Sequence, residues 1–363
     1  MWEKDEERAG AHEAAGASDN RTTTSHVYCM AAPMFAICAM LCSALGAQAV
    51  HRDAVDANER ALVINQVLDK LRDAYVREDV AQTVEKEIRA RATSGDYDGL
   101  SDAALFIQRL TTDLQAASGD RHLIVRFSDE PTAAGQRGCS FVNVGVLAGN
   151  VGYIKFNAFR SPEICGGIAA AAMSLVADCD ALIIDLRDNS GGDPVMVAFV
   201  SSYFFSRPVH LSDIYEREQH ATVESWTLPF VPGPRFVGKP VFVLTSPRTF
   251  SGAEEFAYDL QMLKRAVVVG ETSGGGAHPA LSVRIGERFE VAVPVARYIN
   301  PVSGTNWEGR GVGPDIRVRE ELAVQTAYRA ALEDVVKRMT SSRERDEIQR
   351  EIEALTKVIA GER

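Results

Sequence analysis

Positive charge is in short supply in this chain: 39 Lys and Arg stand against 50 Asp and Glu, a formal net charge of −11. A protein that grips a phosphate backbone needs a basic surface, so the balance argues against nucleic acid as a partner. Cysteine is scarce too. Six occur, and only Cys139, Cys165 and Cys179 follow residue 50, none in the C-x-x-C spacing of a zinc or thiol-redox site. They are read as small buried hydrophobes, although an exported chain could pair two of them. No glycine-rich turn is followed by Lys and Ser/Thr, which argues against a phosphate loop, and no repeat or low-complexity tract follows residue 50. With 46% hydrophobic and 25% charged residues, what is left is a globular chain with core material for two domains.

Charge is also missing from Val27 to Val50, a stretch ending Ala47-Gln48-Ala49, the small-residue pattern that signal peptidase cuts. It reads as a secretory signal behind a polar leader, cleaved after Ala49. A retained membrane anchor is the alternative, since about 20 apolar residues span a bilayer. Met40 and Leu41 before Cys42 argue against a lipoprotein signal. An exported protein, periplasmic or secreted, is expected, touching membrane only if the apolar segment is retained.

Periodicity divides the remainder. Leu62, Val63, Val67, Leu68 and Leu71, and again Ala104, Leu105, Leu110 and Leu114, recur at helical steps, which predicts a small helical domain over 50–118. From 119 to 320 short apolar runs alternate with helical patterns: Val151–Phe156, helix Ala169–Val176, Ala181–Leu186, a helix through Val195–Phe205, Val241–Thr245, helix Ala253–Leu263 and Ala266–Gly270. That rhythm predicts an α/β core with largely parallel pairing. The segment 321–363 reads as a charged helical tail at the surface.

Two strand-to-helix turns carry candidate chemistry. In Asp185-Leu186-Arg187-Asp188-Asn189-Ser190-Gly191-Gly192 two glycines can turn backbone amides toward an anion, although a tight turn would use them equally. In Thr249-Phe250-Ser251-Gly252-Ala253-Glu254 the serine falls at a helix start. An N-cap explains it, but Gly252 leaves room above the hydroxyl and offers an amide beside it, where the helix dipole favours negative charge.

These two segments, followed by Gly270-Glu271-Thr272-Ser273-Gly274-Gly275-Gly276 and Trp307-Glu308-Gly309-Arg310-Gly311-Val312, resemble the tail-specific (C-terminal-processing) serine peptidases, in the branch related to interphotoreceptor retinoid-binding protein. The resemblance implies a crotonase-like (ClpP/crotonase) ββα core behind a small N-terminal helical domain. It implies Ser251 as nucleophile, the amides of Gly191, Gly192 and Gly252 as oxyanion hole, and no metal or cofactor. The lysine base of many relatives is missing from the glycine-rich segment; Lys264 is the only lysine between Ser251 and Asn300. The tricorn-type pattern fits instead, with His122 in Gly119-Asp120-Arg121-His122 as base and Glu308 as its carboxylate partner. Arg121 stands where that pattern has serine, and His278 beside the glycine-rich loop is the reserve base.

Too few residues separate Phe127 from Val151 for the PDZ domain common in such proteins. Substrate capture is therefore expected from the helical domain and a groove rimmed by Trp226 and Phe230. The function expected is hydrolysis of polypeptides; a non-catalytic binding protein for retinoid- or fatty-acid-like ligands on the same scaffold is the alternative.

Overall fold

Residues 54–129 and 138–361 are described by a computed structural model of the chain. The signal-like stretch lies outside the described residues, and among these no helix is long and apolar enough to cross a membrane.

The periodic stripes fold as α1 (Ala57–Ala74), α2 (Glu78–Thr93) and α3 (Ala103–Ser118). Asp56 and Asp102 cap α1 and α3 by accepting the Glu59 and Leu105 amides, and Gly119 at φ 71° ends α3. Val63, Val67, Leu68, Phe106, Leu110 and Leu114 are fully buried. Their core is not closed by helices alone. β1 (Ile124–Phe127), β9 (Ala280–Ile285) and β10 (Phe289–Pro294) form an antiparallel sheet in the order β1-β10-β9. Val125, Phe289, Val291 and Val293 join the helical cluster. Strands more than 150 residues further on thus complete the expected helical unit.

The main sheet has the order β12-β8-β7-β4-β3-β2, from β2 (Phe141–Leu147), β3 (Val151–Phe156), β4 (Ala181–Asp185), β7 (Val241–Thr245), β8 (Val267–Gly270) and β12 (Ile316–Arg317). All pairings are parallel except β2 with β3. Every residue of β4 and β7 is buried, as a parallel sheet covered on both faces requires. α4 (Pro162–Leu175), α5 (Pro194–Ser201) and α6 (Gly252–Met262) supply the core on one face. On the other, α7 (Ala323–Val336) lays Ala323, Ala327, Ala331 and Leu332 against Ala181, Ile183, Phe242 and Leu244, with α8 (Ser342–Gly361) behind it. The tail expected at the surface therefore supplies the second cover of the sheet. A small antiparallel sheet, β11 (Ala296–Ile299), β5 (His210–Glu216) and β6 (Ala221–Trp226), completes the fold.

The cysteine expectation is corrected. Cys139 and Cys165 form a disulfide that ties the chain before β2 to α4, and among the described residues Cys179 is the free, buried thiol.

Candidate active site

β4 and β7 are parallel neighbours, so the turns that follow them lie at one end of the sheet, where ligand sites of α/β proteins form. Behind the first turn, Asp185 accepts Arg187 Nε at 2.9 Å, Arg187 Nη2 at 2.7 Å and the Tyr153 hydroxyl at 2.7 Å. Burial opposes the charge of Asp185, but the bonds from Arg187 and Tyr153 hold its carboxyl below the usual range. Asn189, fully buried, fixes the loop: Nδ2 donates to Phe156 O at 2.9 Å, Oδ1 accepts the Gly191 amide at 2.9 Å, and its carbonyl accepts the Phe250 amide at 3.0 Å. Thr249 Oγ1 and Ser246 Oγ donate back to the Leu186 and Arg187 carbonyls at 2.8 and 2.6 Å. The two turns are thereby sewn together.

Ser251 sits on top of this seam with φ 54° and ψ −123°, a conformation costing a non-glycine residue roughly 1–3 kcal/mol. Glu254 holds it there. Its buried carboxylate accepts the Ser251 amide (2.9 Å) and the Gly276 amide (2.8 Å) on Oε2, and the Ser273 hydroxyl (2.5 Å) and Gly275 amide (2.6 Å) on Oε1. Burial raises the Glu254 carboxyl against the pull of these donors.

A Cβ on Gly191 would come within 2.7 Å of Ser251 Cβ and of the Gly252 nitrogen, and one on Gly252 would lie 3.2 Å from the Gly192 nitrogen. Ser251, Gly192 and Gly252 therefore converge. Among the described residues no hydrogen bond engages the Gly192 or Gly252 amide. The Gly191 amide, expected to point at an oxyanion, is instead consumed by Asn189 Oδ1; what Gly191 supplies is close approach.

His122 packs at a 35° tilt against Phe250, the neighbour of Ser251, with ring centroids 4.6 Å apart, and its Cε1 would lie 2.6 Å from a Cβ on Gly276. Both its ring nitrogens are buried with no hydrogen-bond partner among the described residues. Arg121 points elsewhere: it donates to Gly274 O at 2.9 Å and lies over the Phe250 ring. His278 is buried, with Nδ1 2.8 Å from Asp120 Oδ2 and 3.5 Å from Glu308 Oε2. Burial and then the charge of Asp120 push the Glu308 carboxyl up to about 8, although Glu308 Oε2 accepts the Ala277 amide at 2.5 Å. Asp120, His278 and Glu308 each place a ligand atom within 4.8 Å of the others, the grouping among the described residues that could hold a cation; the His278–Asp120 hydrogen bond already accounts for that nitrogen.

His278 and Glu308 open on a cavity of about 710 Å³ whose other walls are Val76–Asp79, Tyr215, Arg297 and Asn306. Trp226 and Phe230 do not line it. Trp226 stacks on His210 at the end of β6, and Phe230 is 76% exposed on the loop that follows. Lys264 lies beyond the far end of α6, an 11-residue helix of about 16 Å, and lines a separate cavity there. Glu254 and Asp120 join the candidate residues only in three dimensions, although signals for both stand in the sequence: Ser251-x-x-Glu254 has the spacing of a capping box, and Asp120 comes two residues before His122.

Comparison with known proteins identifies the family and the fold. The model of peptidase family S41 matches residues 150–318, and that of the N-terminal domain of peptidase S41 in eukaryotic IRBP matches residues 57–144. The chain belongs to peptidase family S41. It is similar to carboxyl-terminal-processing peptidase 2, chloroplastic, of Arabidopsis thaliana, 26% identical over 185 residues that make up 49% of this chain and 33% of that protein. The chain thus matches about a third of that relative's length. Among solved structures, a Parabacteroides merdae protein superposes with a TM-score of 0.55 at 16% identity, covering 74% of this chain and 96% of that one. The tricorn protease superposes at 0.53 and 13%, covering 77% and 37%. These likenesses establish a shared mixed α/β fold.

Proposed function

We propose that this chain is a serine peptidase acting on polypeptides in an exported compartment, with Ser251 as nucleophile, His122 as base, Glu308 as a carboxyl 3.5 Å from the reserve base His278, and the Gly192 and Gly252 amides as oxyanion hole. One observation carries the reading: a serine in strained positive-φ backbone at a helix start, beside two backbone amides that no group among the described residues engages.

The chemistry follows from those atoms. Ser251 Oγ attacks the scissile carbonyl carbon while an imidazole takes its proton, and the carbonyl π electrons move onto the oxygen. Two preorganised amides at the dipolar start of α6 stabilise that charge, and such stabilisation usually contributes most to the rate of acyl transfer. Collapse breaks the C–N bond, and the imidazolium returns its proton to the leaving amine. Water then repeats the sequence on the acyl-enzyme, releasing the acid and Ser251. Export is supported by the Cys139–Cys165 bridge, since disulfides persist in oxidising compartments, and by the stretch ending Ala47-Gln48-Ala49.

His278 is favoured as base in a second reading by its 2.8 Å bond to Asp120, which leaves Nε2 to receive a proton. A fluorophosphonate tests the function itself. The protein should be labelled covalently and Ser251→Ala should not, with unchanged thermal unfolding. Absence of labelling in the unsubstituted protein would overturn the peptidase reading, and titration with a fatty acid or retinoid would then examine ligand binding.

A further inference from the structure

The residue before His122 is Arg121, and its side chain is committed to Gly274 and Phe250, so it does not orient the imidazole. Asp120 is placed to do so. Its carboxylate is 1% exposed, with Oδ2 2.8 Å from His278 Nδ1 and Oδ1 3.6 Å from His122 Nδ1. Those two imidazoles are its only ion-pair partners among the described residues.

The carboxylate cannot rotate away. Oδ1 accepts the His122 amide at 2.9 Å, Oδ2 accepts the Tyr75 hydroxyl at 3.1 Å, and the Asp120 amide itself donates to Ser118 Oγ at 3.0 Å. A buried carboxylate without a fixed cation is costly unless N–H or O–H groups face it. His278 meets that demand when it carries its proton on Nδ1, 2.8 Å from the carboxylate, which leaves Nε2 as the lone-pair nitrogen; His122 Nδ1 at 3.6 Å lies within reach of the charge but makes no hydrogen bond to it. When an imidazole accepts the serine proton, Asp120 faces the new positive charge. Burial works against the charge of Asp120, yet His122 and His278 together hold its carboxyl far below the usual range, as this account requires. Glu308 competes weakly, because Oε2 is taken by the Ala277 amide and Oε1 meets no donor.

We propose that Asp120 is the positioning residue of the site, a single carboxylate that holds His278 in the Nδ1–H tautomer and, from 3.6 Å, lends its charge to His122 as well when either becomes imidazolium. Only the activity arm of its test rests on the peptidase reading.

The decisive measurement is long-range ¹H–¹⁵N correlation of the histidine rings in full-length Ser251→Ala protein, with His122→Gln and His278→Gln to assign signals. The His278 ring should show a protonated Nδ1 and an unprotonated Nε2. Asp120→Asn should turn at least His278 to the opposite tautomer or a mixture, whereas Tyr75→Phe, which removes a neighbour of the carboxylate but neither imidazole, should leave both as they were. Finding His278 protonated on Nε2 in the Ser251→Ala protein overturns the proposal whether or not the Asp120 variant folds; so does an Asp120→Asn spectrum with unchanged tautomers. On a peptide substrate with Ser251 restored, Asp120→Asn should lower kcat by roughly 10²–10⁴ with KM within about threefold, and Asp120→Glu should recover part of the loss. Failure of the unsubstituted protein to react with fluorophosphonate would sink the peptidase reading, and the tautomers would still decide the role of Asp120.

Discussion

Glu254 Oε2 accepts the backbone amide of Ser251 at 2.9 Å, three residues back along the start of α6. The same carboxylate takes three further donors from the loop 273–276, so one side chain holds the strained serine and the wall beside it. Glu254→Gln would turn an amide NH₂ toward donors and leave buried groups unpaired, at about 1–3 kcal/mol for each. The variant should unfold at distinctly lower denaturant and lose fluorophosphonate labelling. Full labelling in a protein of parental stability would show that Ser251 holds its conformation without Glu254.

Gly252→Ala separates catalysis from folding. At the first turn of a helix alanine is favourable by about 0.5–1 kcal/mol over glycine, and the nearest atoms to the new Cβ, Gly192 N at 3.2 Å and Gly192 O and Val197 Cγ2 at 3.3 Å, are tight without being impossible. The methyl would occupy the space between the Gly192 and Gly252 amides. Stability should change by less than about 1 kcal/mol while kcat falls roughly 10²–10³-fold, the usual loss of one oxyanion donor. Unchanged kcat would remove Gly192 and Gly252 from the mechanism.

The two histidines make opposite forecasts. With His122 as base, His122→Ala should lower kcat by roughly 10²–10⁴ and His278→Ala should act more mildly. Kinetics of the pair on one peptide decide the matter, and the reverse ranking assigns the proton to His278.

Stability should fall as pH rises through the neutral range. Burial and then Asp120 push Glu308 up to about 8, and burial pushes Asp259 up to about 7. Both carboxyls keep protons in the folded chain that the unfolded chain gives up near pH 4, so the folded state binds more protons and is favoured at the acid side. That contribution fades from about pH 4.5 and is gone above about pH 8 for Glu308. Thermal melts of Glu308→Gln should therefore decline less steeply over this interval than those of the parent. Parallel slopes would mean that Glu308 ionises as in the unfolded chain.

The Cys139–Cys165 bridge closes a loop of 26 residues, for which chain entropy predicts roughly 3–4 kcal/mol. Cys139→Ala/Cys165→Ala and the reduced protein should both melt well below the oxidised form. Equal melting would leave the bridge without a stabilising role.

Local pattern determined much of this protein. Helical periodicity located α1 to α3. Apolar runs located β3, β4, β7 and β8, and the strand-turn-helix segments placed Ser251, Gly191, Gly192 and Gly252 at turns between strand and helix. Such features are legible because a helix stripe, a buried strand and a glycine turn are each specified by residues close together in sequence. Tertiary structure decided the rest, because it depends on groups far apart in the chain. Whether a glycine amide is free is settled by what else accepts or donates nearby: Asn189 consumes that of Gly191, and among the described residues nothing consumes those of Gly192 and Gly252. Asp120 and His278 are 158 residues apart, and only the packing of β1 against β10 and the closure of the glycine-rich loop bring them to 2.8 Å. The tail shows the same limit. Its charge marked it for the surface, yet the alanine face of α7 covers the sheet, since a parallel sheet must bury both faces and α4, α5 and α6 are all engaged on the first.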